Sequence, residues 1–301
     1  MSDLEIIADF GDLCGEGPLW DARSKALYWT DAVGAKFYQY DWTARSPRVL
    51  KEELEICGFT LNEPGGFVIT NSKGIWLWDG SGDPQLVAGE VDGIPCPCND
   101  CIADPAGRLF AGSIFYDPSK EYQLGHIIRV DTDGSARIVD EGIHLANGFG
   151  FSPDCKTLYF TDSALRRIYA YDYRIESGEI RNRRTLVQVS KEEGIPDGMT
   201  VDSEGFLWSA QWFGSCVVRY DPDGKLERRI AIPAKQTSSV ALGGPNLQEL
   251  FITSAGRSEV LPVMPPGYDP DSGYFGGRLY RFPVDVDGKE EFRTRISRGG
   301  E

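Results

Sequence analysis

The feature of this chain that most restricts its fold is a sequence unit that recurs six times within 301 residues. Each unit contains short runs rich in Val, Ile, Phe, Tyr and Trp, separated by turns of Gly, Asp and Pro, as in the stretch 199–224. The first turn residues of successive units are 41, 42, 48, 50 and 41 positions apart. These six anchor residues are Asp21, Asn62, Asp104, Ser152, Asp202 and Gly243.

Units of four short strands that repeat every 40–45 residues or so are typical of a β-propeller. A small twisted sheet cannot bury both of its faces alone, whereas sheets stacked around an axis cover one another and leave few open edges. The repeat therefore predicts a single all-β domain over residues 1–301, a six-bladed β-propeller with four-stranded antiparallel blades. We expect a fourth strand in the less regular stretches, as at 184–189, and ring closure by residues 4–10 as the outer strand of the last blade.

The repeat also gives each unit one residue at an equivalent height and radius, five positions before the anchor. These residues are Glu16, Cys57, Asn99, Asn147, Asp197 and Ser238. Because the innermost strand of every blade lines the central channel, residues at the head of that strand should face one another at one mouth. Four of the six carry carboxylate or amide oxygens, and such a half-buried set needs a cation. Hard or borderline divalent ions accept these ligands.

A simpler interpretation exists for two of these positions. Asn147–Gly148 and Asp197–Gly198 are common turn dipeptides, and taken singly each predicts a turn rather than a ligand. Oxygen-bearing residues in the same register of four units favour the ring of ligands instead.

The bulk composition excludes several functions. A net charge of −15 argues against binding to nucleic acid or to anionic membranes. Two histidines are too few for a His-rich zinc site, and the sequence has no serine-hydrolase elbow, phosphate loop or dinucleotide fingerprint. The seven cysteines show no secreted spacing, and neither a signal-like N-terminus nor a membrane-length apolar run is present, so we expect a cytoplasmic protein. The oligomeric state stays open.

Three cysteines, Cys96, Cys98 and Cys101, surround the ring position Asn99. This C-x-C-x-x-C spacing is compatible with a soft-metal site or a redox pair. It is equally compatible with small buried thiols that shape the wall of a pocket, which the absence of an evident fourth ligand favours.

Four motifs resemble, in the right order, the senescence-marker-protein, gluconolactonase and luciferin-regenerating-enzyme family, which includes regucalcin. They are GEGPLW (15–20), NDCIADPAGRLFAG (99–112), NGFGFSPDCKTLYFTDS (147–163) and PDGMTVDSEGFLWSA (196–210). The resemblance implies a six-bladed propeller with one divalent metal at the channel mouth. It also implies Glu16, Asn147 and Asp197 as metal ligands, Asn99 as a contact to substrate and metal-bound water, and Glu121 as a residue that binds sugar hydroxyls.

The same resemblance implies a hydrolase that opens sugar-derived lactones to aldonic acids, with a metal-polarised carbonyl and Asp197 as general base. The substrate would be a small-molecule lactone. The metal would be calcium, zinc, manganese, magnesium or ferrous iron. The chain departs from the family at Pro97, where sugar lactonases often carry Arg, so a planar hydrogen-bond donor is missing. Two alternatives therefore stay open: an esterase or phosphotriesterase on the same centre, and a metal-binding propeller without turnover.

Overall fold

The computed structural model of this protein describes residues 3–63, 65–113, 123–256, 264–269 and 273–297. Within these ranges the chain forms β-strands joined by turns and loops, without an α-helix. The described part of the chain therefore contains no helix with the length and apolar character needed to cross a membrane. The strands assemble into six antiparallel sheets of four strands each, together with one short hairpin.

In the first three blades the strands run outward from the central axis in chain order, after a short N-terminal strand β1 (Glu5–Ala8). Blade one contains β2 (Gly15–Asp21), β3 (Ala26–Asp31), β4 (Lys36–Asp41) and β5 (Ser46–Glu52). Blade two contains β6 (Gly58–Leu61), β7 (Phe67–Asn71), β8 (Gly74–Trp78) and β9 (Gln85–Ala88). The hairpin of β10 (Glu90–Val91) and β11 (Ile94–Pro95) precedes blade three, which contains β12 (Cys98–Ala103), β13 (Leu109–Ser113), β14 (Gly125–Val130) and β15 (Ala136–Ile143).

The last three blades follow the same plan, and the N-terminal strand completes the ring. Blade four contains β16 (Ala146–Phe151), β17 (Thr157–Asp162), β18 (Arg167–Arg174) and β19 (Glu179–Gln188). Blade five contains β20 (Ile195–Val201), β21 (Leu207–Trp212), β22 (Cys216–Tyr220) and β23 (Leu226–Ala231). Blade six contains β24 (Thr237–Gly243), β25 (Glu249–Ser254), β26 (Leu279–Pro283) and, outermost, β1. The predicted six-bladed propeller, its fourth strands and its closure by the N-terminal strand are therefore confirmed.

The inner strands of the blades surround a channel. Each of them contacts the inner strand of both neighbouring blades, and β24 contacts β2 to close the circle. Aromatic side chains fill the spaces between blades: Trp29 and Trp208 are fully buried, in clusters that join blade six to blades one and five. Because both faces of each blade are covered in this way, the inner strands are buried along nearly their whole length.

The aspartates among the turn anchors stabilise the first turn of their blades. In blade five, Asp202 Oδ1 accepts hydrogen bonds from two backbone N–H groups of the turn, while its Oδ2 lies 2.7 Å from Nη2 of buried Arg219. In blade three, Asp104 holds its own turn and pairs with Arg108 at 2.5 Å. A buried carboxylate would be costly alone, and these arginines supply the compensating charge.

The segment 289–297 crosses the axis at the C-terminal ends of the inner strands. Thr294 donates its backbone N–H to Leu61 O at 2.9 Å, and Thr200 Oγ1 donates to Glu291 Oε1 at 3.2 Å. Glu291 and Phe292 line the same cavity as channel residues from the blades. One end of the channel is thus covered by the chain itself, which the repeat pattern did not predict.

Candidate active site

The predicted ring residues lie together at the opposite end of the channel. Glu16 is the second residue of β2, Asn99 of β12 and Asn147 of β16, and Asp197 is the third residue of β20. All four therefore occupy the N-terminal ends of inner strands, where blades one, three, four and five meet around the axis.

A local irregularity in the sheets directs these side chains. In five blades the pairing between the inner strand and its neighbour shifts at or beside the ring position, and blade two, where Cys57 precedes β6, is regular. A bulge of this kind inserts an extra residue and re-aims the side chains next to it. Asn147 and Gly148 consequently belong to a strand with a bulge rather than to a turn, and the turn interpretation is wrong for this dipeptide.

The glycines after two ring residues permit close approach of neighbouring blades. A Cβ on Gly148 would lie 2.5 Å from the backbone N of Met199, and a Cβ on Gly198 would lie 2.1 Å from Ser239 Oγ. Neither glycine has a positive φ. Their role is therefore to let adjacent inner strands pack together, which brings the ring residues within reach of one another.

Hydrogen bonds orient the amide of Asn147. Its Nδ2 donates to Ser163 Oγ at 2.8 Å, and that hydroxyl donates to Pro196 O at 2.7 Å. Its Oδ1 accepts a hydrogen bond from Asn99 Nδ2 at 2.7 Å, and the same Nδ2 also donates to Ala146 O at 2.8 Å. This network links blades three, four and five. It fixes the orientation of the Asn147 amide so that its Oδ1 faces Asn99.

Three carboxylates, those of Glu16, Asp100 and Asp197, share the mouth. Burial raises the pKa of Glu16 well above its ordinary value, and the charges of Asp197 and Asp100 raise it further. Burial and the charge of Asp100 raise the pKa of Asp197 in the same direction, and burial raises the pKa of Asp100 to about 6. Asp197 Oδ1 is buried and accepts no hydrogen bond from the residues that the structure describes. Oxygen donors arranged in this way suit a divalent cation.

Asp100 is the site residue that sequence reasoning did not identify. It follows Asn99, and it lines the channel on the inner side of the ring. Its residue type could have identified it from the sequence. The residues that follow the other ring positions are Gly or Ser, so only blade three has a carboxylate at this position.

The cysteines near the site are free thiols, of which Cys96, Cys98 and Cys101 are buried and Cys57 is half-buried. Cys96 and Cys98 are 1% exposed each, and Cys98 Sγ donates to Cys96 O at 3.2 Å. Burial raises the pKa of the Cys57 thiol to about 12. In the described part of the chain, no three His, Cys, Asp or Glu side chains are arranged to hold a metal ion. Cys96, Cys98 and Cys101 pack in the apolar core between blades two and three, and Cys101 also lines the channel. The predicted metal ring depends on the amide oxygen of Asn147.

Glu121, which we expect to bind sugar hydroxyls, lies in the stretch 114–122, outside the described residues. Pro97, the position of the missing Arg, is half-buried directly before β12.

Comparison with known proteins gives consistent matches over nearly the whole chain. Residues 14–256 match the model of the SMP-30/Gluconolactonase/LRE-like region. The chain is 36% identical over 293 residues to a protein named pentonolactonase XacC from Haloferax volcanii, covering 97% of this chain and 98% of that protein.

Solved structures agree with these sequence matches. A luciferin-regenerating enzyme superposes with a TM-score of 0.86 at 30% identity, covering 97% of this chain and 99% of that one. A regucalcin from Agrobacterium tumefaciens, described as a calcium-binding protein, superposes with a TM-score of 0.83 at 25% identity, covering 97% of both chains.

Proposed function

The chain belongs to the SMP-30/gluconolactonase/LRE-like family, and from this premise we propose that it hydrolyses sugar-derived lactones, opening aldonolactones to aldonic acids. The observation that carries the proposal is the convergence of oxygen-bearing side chains from four blades at one channel mouth. A relative named pentonolactonase that matches over almost the full length of both chains supports the substrate class.

We propose that Glu16, Asn147 and Asp197 hold one divalent cation. The Asp197 oxygen without a hydrogen bond and the Asn147 amide oriented through Ser163 fit this role. Calcium, magnesium, manganese, zinc and ferrous iron all accept such oxygens, and a relative described as calcium-binding favours calcium. When bound, the ion supplies Lewis acidity to polarise the lactone carbonyl and to acidify water.

The side chains of the protein would orient the reactants and move the proton. Asp197 Oδ1 accepts no hydrogen bond from the described residues, so this oxygen would be available to take a proton. Asp197 would accept a proton from the attacking water as the new C–O bond forms. The acyl–oxygen bond of the ring then breaks, and the same proton passes to the ring oxygen. The Asn99 Oδ1 remains available to accept a hydrogen bond from substrate or water.

A pH-stat assay on aldonolactones, with and without chelator, tests the proposal. We expect turnover that the chelator abolishes and a single metal restores. Asp197→Asn should lower kcat by roughly 10²–10⁴-fold, the usual contribution of a positioned general base. The exposed substitution Asp223→Asn is the matched control and should leave kcat unchanged.

Each other outcome has a defined meaning. Turnover that persists in chelator contradicts the metal, and full activity of Asp197→Asn contradicts the general base. Hydrolysis of aryl esters or phosphotriesters without lactone hydrolysis supports the alternative that Pro97 leaves open. A bound metal with no turnover on any of these substrates supports a non-catalytic propeller.

A further inference from the structure

Three side chains near the channel mouth, two of them buried and one half-buried, carry buried polar atoms that no other residue of the described structure satisfies. They are the indole Nε1 of Trp212, both amide atoms of Gln236 and the hydroxyl of Tyr268. Gln236 is 0% exposed and Trp212 is 8% exposed. A buried donor or acceptor without a partner costs its full desolvation free energy, so such atoms normally have a ligand or partner.

The fold places these side chains next to the ring. Trp212 ends β21 and pairs with Ile195, two residues before Asp197. An isolated antiparallel bridge joins Trp212 to Gln236, which itself lies two residues before the ring position Ser238. Both are therefore displaced from the ring toward the open end of the channel.

Tyr268 joins the same group through its neighbours. Its ring centroid lies 4.3 Å from that of Phe213, and Phe213 contacts Trp212 edge-on. These aromatic residues form one apolar cluster with Cys14, which comes two positions before Glu16. The group thus borders the mouth where blades five, six and one meet, across the ring from Pro97 in blade three.

The grouping distinguishes these atoms from other unsatisfied ones. Single buried polar atoms without a partner also occur elsewhere, for example at Trp20 and Tyr280. Trp208, on the same strand as Trp212, instead donates its Nε1 to Asp202 Oδ2 at 2.8 Å. Three neighbouring side chains that together offer several donors and acceptors indicate a ligand with several hydroxyl groups.

We propose that Trp212, Gln236 and Tyr268 form a hydroxyl-binding wall that selects a neutral, polyhydroxylated lactone; this inference rests on the proposed function. Hydroxyl groups both donate and accept, which matches Gln236 Nε2 and Oε1, the Tyr268 hydroxyl and the Trp212 N–H. Because none of the three side chains is charged, the wall suits a neutral sugar ring better than a phosphate ester. It would supply the polar contacts that Pro97 cannot make.

Three substitutions remove the unpartnered atoms: Gln236→Met and Tyr268→Phe nearly conserve side-chain volume, and Trp212→Phe also makes the ring system smaller. We would measure kcat and KM for a hydroxylated aldonolactone and for an unsubstituted lactone of the same ring size, and the melting temperature without ligand. Each variant should raise KM for the hydroxylated lactone about tenfold, the equivalent of one hydrogen bond, and leave KM for the unsubstituted lactone unchanged. The melting temperature of Gln236→Met and of Tyr268→Phe should stay equal or rise, since no internal hydrogen bond is lost, whereas Trp212→Phe should lower it because buried aromatic volume is lost.

Trp208→Phe is the matched control, because it removes an indole N–H that does have a partner. It should lower the melting temperature and leave the ratio of the two KM values unchanged. If the three wall variants leave the ratio of the two KM values unchanged, as this control should, the atoms have a structural role and the proposal is overturned.

The proposed function fails separately, if the wild-type protein hydrolyses neither lactone. In that case, calorimetric titration of an aldonic acid into metal-loaded wild type and Gln236→Met tests the wall without turnover. Binding about tenfold weaker in the variant supports the wall, whereas equal binding, or no binding to either protein, overturns it.

Discussion

The carboxyl group of Asp12 provides the sharpest test of the electrostatics in this fold. Asp12 lies between β1 and β2, is 3% exposed, and accepts a hydrogen bond from Trp29 Nε1 at 3.0 Å. Burial raises its pKa from 3.8 to about 7; hydrogen bonds with Tyr38 and Trp29 lower the pKa in part, and the charge of Asp31 raises it. The protonated form is therefore the one that the folded protein prefers.

The size of the effect follows from linkage. A rise of about three pKa units corresponds to about 4 kcal/mol, at 1.36 kcal/mol per unit. Because the folded state holds the proton more tightly than the unfolded state, this contribution is fully present below pH 4 and is lost as the pH rises to 7. Asp12→Asn keeps the shape of the protonated side chain without the charge. Its stability advantage over wild type should therefore grow by about 3 kcal/mol between pH 5 and pH 8.

Urea unfolding at several pH values, in the presence of chelator, measures this difference. The chelator matters because a cation bound only to the folded state adds its own pH dependence. Asp133→Asn is a control for which the expected change in stability has the opposite sign. Hydrogen bonds from Ser135 lower the pKa of the exposed Asp133 carboxyl, so removing this carboxylate should slightly destabilise the protein at neutral pH. If the stability of Asp12→Asn runs parallel to that of wild type from pH 5 to pH 8, the argument is refuted.

Three further substitutions test separate contacts. Ser163→Ala removes the acceptor that orients the Asn147 amide and should weaken cation affinity by roughly 10–100-fold in calorimetry, whereas unchanged affinity would argue against Asn147 as a ligand. Arg219→Met leaves the buried carboxylate of Asp202 unpaired and should cost about 3–5 kcal/mol in urea unfolding; a loss below 1 kcal/mol would contradict this. Gly198→Ala should force neighbouring inner strands apart and lower the free energy of unfolding by about 1–3 kcal/mol. A variant as stable as the wild-type protein would contradict this close packing.

Much of the architecture can be predicted from the amino-acid sequence, because a repeat imposes its own geometry. Similar spacing of turn anchors such as Asp104 and Asp202 predicts six equivalent sheets, and equivalent sheets can bury their faces only by stacking around an axis. The same register argument brings Glu16, Asn147 and Asp197 to one end of the channel. Each of these inferences needs only the period of the chain and the alternation of strand and turn.

Contacts between blades were decided only in the tertiary structure. The bulge that re-aims Asn147, the hydrogen bond from Asn99, and the exposure of Asp100 to the channel depend on neighbouring inner strands that are distant in sequence. The cover formed by 289–297 lies outside the repeat, and the wall around Gln236 arises only where blades five and six meet each other and Tyr268. A periodic pattern specifies what the units have in common, whereas hydrogen bonds and burial at the axis depend on how unlike units meet, and only packing determines that.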